Sequence, residues 1–209
     1  YEYWESKKDP KLHYKTTVTT KYESGRSTKS VYEYIDKRRP DGSTYKYKMI
    51  TNFDGSRTET IYNECCGQPL QIKTAAGVTK FEYFPETGLP KVKDTPTEYT
   101  EWTYDDKFKN KVASVKVVGK GEPKYESETK FRYDAGTGNL AAAKTSDGRG
   151  VALKYDSQNR IKTMYDHEKR MITFDYGTGT KPRLITQKGT GSIEVIYDAS
   201  GNIKEVKSQ

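Results

Sequence analysis

A tyrosine that returns about every 21 residues is the feature that most limits what this chain can fold into. Aligned on Tyr62, Tyr83, Tyr104, Tyr133, Tyr155, Tyr176 and Tyr197, the sequence repeats with gaps of 21, 21, 29, 22, 21 and 21 residues. A fixed short period means that one supersecondary unit is copied along the chain and buries its face only against its neighbours. Two residues before each anchor stand Thr60, Phe81, Trp102, Phe131, Leu153, Phe174 and Val195, six of them apolar. Positions i−2 and i share one face of a strand. After the anchor comes a polar turn such as Phe84-Pro85-Glu86-Thr87-Gly88 or Asp156-Ser157-Gln158-Asn159, and then an aliphatic residue restarts the chain: Leu70, Leu89, Val112, Leu140, Ile161, Leu184 or Ile203. Asp and Asn bond their own backbone in such turns, and Gly or Asn accepts positive φ. A second turn falls near mid-period, at Ala76-Gly77, Asp147-Gly148, Asp166-His167 and Gly189-Thr190-Gly191.

One period therefore reads as strand, turn, strand, turn. Two short turns taken from 21 residues leave about six or seven per strand, an ordinary length. The expected fold is all-β, with tandem antiparallel hairpins of about 21-residue period forming a curved or spiralling sheet with little or no helix. No apolar stripe at helical spacing competes with this reading. The single long gap carries Gly119-Lys120-Gly121-Glu122-Pro123, an inserted loop. Residues 1–54 carry weaker signals, with Tyr32, Tyr34, Tyr45 and Tyr47 at strand spacing and turns at Asp41-Gly42 and Asp54-Gly55. They read as degenerate or capping repeats before the regular ones of 55–209, all in one continuous repeat domain. One detail departs from simple alternation. Leu89 and Val92, Val112 and Val115, Ile161 and Met164, and Ile203 and Val206 stand three residues apart. Either a β-bulge returns each pair to one face, or both faces are buried.

Hydrophobic residues make up only 32% of the chain and charged residues another 32%, a balance that by itself points toward disorder. The 18 tyrosines reverse that inference. Each ring buries a large area and keeps a polar tip, which suits a broad, thin sheet. The formal charge of +8 favours acidic partners, although the charges alternate in sign along the strands, as on a solvated face. No apolar window is long enough to span a membrane as a helix.

The segments Tyr133-Asp134 through Gly138-Asn139-Leu140, Tyr155-Asp156-Ser157-Gln158-Asn159-Arg160-Ile161 and Tyr197-Asp198-Ala199-Ser200-Gly201-Asn202-Ile203 resemble the YD repeat of bacterial Rhs and wall-associated proteins and of teneurins. The match runs from Phe131 to Val206; Asn63, Phe84 and Gly177 replace the aspartate after Tyr62, Tyr83 and Tyr176. The resemblance implies a long spiralling antiparallel sheet, an extracytoplasmic location (secreted, periplasmic or cell surface), and non-catalytic binding or encapsulation. The eight or nine periods here imply an open coil rather than a closed container.

Candidate chemistry is sparse. Cys65 and Cys66 are adjacent in a turn and either close a vicinal disulfide or stand as two thiols. The only histidines, His13 and His167, have no nucleophile motif or zinc-ligand spacing beside them. Asp54, Asp134, Asp156 and Asp198 recur at turn starts, where capping is the expected role and no dense calcium-loop pattern occurs. No catalytic residue, metal or cofactor is therefore expected. Tyr62, Tyr83, Tyr104, Tyr133, Asp134, Tyr155, Asp156, Tyr176, Tyr197 and Asp198 read as the structural residues that define the repeat. Trp4 and Trp102, with the basic run Lys37-Arg38-Arg39, are the candidate ligand contacts. Two functions follow. One is a module that binds cell-envelope glycan or another acidic polymer. The other is a scaffold whose sheet face or edge holds a protein partner. Nucleic acid is not an expected partner.

Overall fold

The computed structural model describes the backbone of residues 2–5, 13–38, 44–52, 54–63 and 66–208, and side chains from 15–34, 46–52, 54–63 and 66–208. Arg39, Asp41-Gly42 and Cys65 lie outside the described residues. Among those described there are eighteen strands and no helix. They are β1 (Glu2–Glu5), β2 (His13–Lys21), β3 (Ser27–Arg38), β4 (Thr44–Thr51), β5 (Arg57–Tyr62), β6 (Pro69–Thr74), β7 (Gly77–Tyr83), β8 (Pro90–Asp94) and β9 (Glu98–Tyr104). The second half adds β10 (Val112–Gly119), β11 (Glu126–Tyr133), β12 (Leu140–Thr145), β13 (Gly150–Tyr155), β14 (Ile161–Asp166), β15 (Met171–Asp175), β16 (Leu184–Gln187), β17 (Gly191–Tyr197) and β18 (Ile203–Ser208). The chain divides into two compact units: residues 1–101 with 118–125, and residues 102–117 with 126–209.

In each unit the architecture is the expected run of hairpins. From β1 to β9 every strand pairs antiparallel with the next. The same holds from β11 to β18. Sequence neighbours pair because short polar turns leave no slack for a crossover.

The pairs three residues apart resolve in both of the ways the alternation left open. Opposite Leu153 and Tyr155, which share a face, stand Met164 and Ile161. Opposite Val195 and Tyr197 stand Val206 and Ile203. A bulge just after the turn restores each pair to one face. Leu89 and Val92 differ. Pro90, not Leu89, stands opposite Tyr83, and Val92 stands opposite Glu82, on the other face, where it is buried. Likewise Pro69, not Leu70, faces Tyr62. The two turns shift by one residue in opposite senses, longer after Tyr83 and shorter after Tyr62, and in both proline serves as the first residue of a strand, where its missing N–H disrupts least.

In the amino-terminal unit the tyrosines of β3 and β4 fall on opposite faces. Tyr34 stands opposite Lys48 and Ile35 opposite Tyr47, so Tyr32 and Tyr34 lie on one face and Tyr47 on the other. Tyr47 is buried there, in register with Ile61 of β5. Lys48 spans the rings of Tyr32 and Tyr34, with Nζ at 6.0 and 5.3 Å from their centroids.

Burial is shallow. Tyr47, Val92 and Val195 are the buried hydrophobic residues among those described, and no large side chain is fully enclosed. Stability is spread along seams between neighbouring repeats rather than gathered in a core.

The inserted loop belongs to the first unit. Lys120 donates its backbone N–H to the Thr97 carbonyl and its Nζ to the Thr95 carbonyl and the Asp94 carboxylate. Tyr125 donates its hydroxyl to Glu98 at 3.0 Å. Its ring lies so close to Gly119 that a Cβ there would sit 2.1 Å from a ring carbon.

Candidate binding surface

Five of the seven anchor tyrosines share one local role. Each of these phenols reaches back one strand and donates to a carbonyl at, or for Tyr197 just before, the start of that strand. Tyr83 reaches Pro69, Tyr133 reaches Val112, Tyr155 reaches Leu140, Tyr176 reaches Ile161 and Tyr197 reaches Pro182, all at 2.8–2.9 Å. Burial raises the pKa of Tyr83, Tyr104, Tyr133 and Tyr176 above the ordinary tyrosine value, which keeps these phenols protonated as donors.

A second contact closes the same seams, one that sequence reasoning missed. In four places a polar or basic residue one to three positions before a strand start sends its side chain forward to the next turn. Gln68 donates to the Gly88 carbonyl at 2.6 Å and Arg160 to the Gly179 carbonyl at 2.5 Å. Lys111 and Lys181 donate to the carbonyls of Gly138 and Gly201. Three of these cations also cover an anchor ring: Lys111 over Tyr133 at 5.1 Å, Arg160 over Tyr176 at 4.4 Å and Lys181 over Tyr197 at 5.4 Å. The signal was present in the sequence, as a polar or basic residue recurring at or shortly before the strand start.

The turn aspartates are absorbed by their own turns. Asp134 accepts from the N–H groups of Gly136 and Thr137 and from the Thr137 hydroxyl. Asp156 accepts from the N–H groups of Gln158 and Arg160 and pairs with Arg160 Nε at 2.7 Å. Asp198 accepts from Asn202 N–H. These bonds to the ionised form, led by the N–H groups of Thr137, Arg160 and Asn202, hold the carboxyls of Asp134, Asp156 and Asp198 below the ordinary carboxylate value. Asp147, bonded chiefly by the Arg149 side chain, lies well below it. Asp54 caps Ser56 in the same manner. Among the described residues no group of three or more His, Cys, Asp or Glu side chains could hold a metal ion.

With the seams so occupied, the surface left for a ligand is the pair of sheet faces. From β11 to β18 the register sorts them cleanly. One face, here the tyrosine face, presents Phe131, Tyr133, Leu140, Ala143, Val151, Leu153, Tyr155, Ile161, Met164, Ile172, Phe174, Ile185, Ile193, Val195, Tyr197, Ile203 and Val206. Among the residues paired in register, Asp166 is the one charged residue on it. The opposite face carries the lysines, arginines and glutamates.

The sequence-derived ligand contacts do not meet in a described site. Trp102 lies on β9, half-buried. Trp4 lies on β1 with Lys15 opposite, and Lys37 and Arg38 on β3 with Tyr45 and Thr44 opposite. The side chains of Trp4, Lys37 and Arg38, and all of Arg39, lie outside the described residues. Cys66 is disulfide-bonded, and Cys65, the candidate partner, lies outside the described residues. His167 is half-exposed in the β14–β15 turn, 3.9 Å from Glu168. No helix of the described residues is long and apolar enough to cross a membrane.

No family model matches the chain, and no curated protein matches it. Solved structures do. A chain in the crystal structure of TcdB2-TccC3-TEV superposes on 98% of this one with a TM-score of 0.51 at 12% identity. The Photorhabdus luminescens Tc holotoxin pore with a mutated TccC3 gives 0.34 over 95% at 13% identity, and TcdB2-TccC3-Cdc42 gives 0.33 over 94% at 12%. This chain spans only 11–15% of the length of those chains. The first likeness is one of fold.

Proposed function

We propose that this chain is a non-catalytic repeat scaffold that holds polypeptide against its tyrosine face. The observation that carries the reading is the composition of that face from β11 to β18. Among its register-paired residues a single one is charged, and Val151, Ile193, Ile203 and Val206 stand exposed, the last two at 63% and 57%. A contiguous apolar surface rimmed by polar turns marks protein contact more than sugar contact, because it offers a glycan hydroxyl few partners. The fold shared with TcdB2-TccC3-TEV, a repeated run of antiparallel hairpins, supports a scaffold role. An extracytoplasmic setting and a capping role for residues 1–54 belong to the same proposal.

The test sets two ligands against each other. One is a permanently unfolded protein alkylated with a neutral reagent; the other is a panel of bacterial polysaccharides, each at low and high salt. The scaffold reading expects binding of the unfolded protein that salt barely changes and that Ile193→Lys with Val206→Lys weakens. Saturable, salt-sensitive polysaccharide binding without capture of the unfolded protein would overturn it.

A further inference from the structure

The opposite face of β11–β14 holds an arrangement that the sheet does not need for its own stability. Lys130 of β11 stands directly opposite Lys144 of β12. Like charges facing each other across two strands repel, and a strand selected for stability alone would avoid the pairing. Arg132 lies two residues along from Lys130 on the same face, opposite Ala142. Ala142 in turn stands opposite Ala152, and Lys154 lies two residues beyond Ala152. Four cations thus surround a floor of Ala142, Gly150 and Ala152.

The positive charge is only partly neutralised within the sheet, where Glu128 engages Lys130 alone of the four cations among the described residues. The carboxylates on this face of β11 are Glu126 and Glu128, and both are engaged: Glu126 with Lys116 at 2.8 Å and Glu128 with Lys130 at 3.2 Å. The same face of β12, β13 and β14 offers Ala142, Lys144, Gly150, Ala152, Lys154, Thr163 and Tyr165, with no carboxylate among them. Lys154 covers the Tyr165 ring at 5.6 Å, and no ion pair joins it to a carboxylate among the described residues. On the neighbouring strands Asp175, Glu194 and Glu205 restore a mixed surface.

The floor is low for a structural reason. A Cβ on Gly150 would stand 2.5 Å from the Ala143 carbonyl oxygen, so no larger residue fits. Long basic side chains therefore rise around a shallow trough about 10 Å across three strands and about 13 Å along them, from the ordinary spacings of a sheet. An extended chain of about four residues covers that length. Lys130 and Arg132, at i and i+2 on one strand, are spaced like alternate carboxylates on an extended acidic segment.

Resting on the scaffold reading above, we propose that Lys130, Arg132, Lys144 and Lys154 bind an extended acidic segment of a partner polypeptide across the face of β11–β14. This is a second contact on the face away from the tyrosines, and it names the chemistry of the partner.

The probe is a labelled decapeptide of alternating Glu and Thr, followed by fluorescence anisotropy with the full chain. A Gln-Thr decapeptide and a sulfated oligosaccharide serve as comparison ligands. Saturable, salt-sensitive binding of the Glu-Thr peptide is expected. The triple change Arg132→Glu, Lys144→Glu and Lys154→Glu weakens it about tenfold or more, while the same charge change at exposed Lys29, Lys73 and Lys188 weakens it less than about twofold. Lys144→Thr, which removes the repulsion with Lys130, raises the thermal midpoint while weakening the peptide; this separates loss of a contact from loss of the fold. The proposal falls if the Glu-Thr peptide does not bind at low salt, if both triple variants weaken it equally, or if the sulfated oligosaccharide binds through these residues more tightly than the peptide. Should the peptide fail while the neutral unfolded protein still binds, this inference falls and the scaffold reading stands.

Discussion

Replacing Tyr176 by Phe removes one oxygen and tests whether the phenol seams hold this sheet together. The Tyr176 hydroxyl donates to the Ile161 carbonyl at 2.8 Å in a part-buried position. The ring, and the Arg160 guanidinium 4.4 Å above it, are retained in the phenylalanine variant. The expected cost is that of one hydrogen bond whose acceptor is left partly desolvated, about 1 kcal/mol. Tyr155 and Tyr197 make the equivalent bonds to Leu140 and Pro182, one seam away on either side. In a linear repeat each seam touches only its neighbours, so the three substitutions combined cost about 3 kcal/mol if the sites are independent. Urea denaturation followed by circular dichroism measures the total. Amide exchange read by mass spectrometry then places the loss of protection at the strand starts near Leu140, Ile161 and Pro182, with β5–β7 unchanged. If all three single variants stay within about 0.3 kcal/mol of the unmodified chain, the phenols are spectators and ring burial alone holds the seams.

Three further outcomes follow from the geometry. Lys169 has φ of 62° in the turn that Asp166 caps, a conformation that costs a residue with a Cβ about 1 kcal/mol; Lys169→Gly raises the thermal midpoint, and Asn159→Gly, at φ 61°, raises it less because asparagine tolerates the region. Asp134, Asp147, Asp156 and Asp198 all have folded pKa values below their unfolded ones, so their contribution is complete above the unfolded value, about 3.9, and is lost as pH falls through the lower folded values. The urea midpoint therefore declines in acid, and replacing Asp134, Asp156 and Asp198 by Asn flattens that decline. Alkylation of the native chain labels neither Cys65 nor Cys66 until a reductant is added, as a vicinal disulfide requires; two labelled thiols before reduction would refute the pairing.

The repeat period determined nearly all of the secondary structure in advance. Tyr-to-Tyr spacing, the polar turns and the mid-period Asp-Gly signals are local properties, and hairpin pairing follows from short turns alone. The bulges at Ile161–Met164 and Ile203–Val206 were legible too, because an apolar pair three residues apart fits a one-sided sheet only with an extra residue. The register was not legible. One residue of turn length decides whether Leu89 or Pro90 faces Tyr83, and a shift by one residue sends Val92 to the other face. The partner of each tyrosine hydroxyl was hidden as well, since the accepting carbonyls lie 14–21 residues back and a carbonyl has no identity in sequence. So was the use of Lys111, Arg160 and Lys181, which the sequence alone presents as three more solvated cations. The sorting of charge is the last example. Along the strand Lys130, Arg132, Lys144 and Lys154 merely alternate with apolar residues; pairing across strands brings Lys130 against Lys144 and sets all four on one face. Spacing along a chain fixes which residues share a side of one strand, but only the register between strands decides which of them become neighbours.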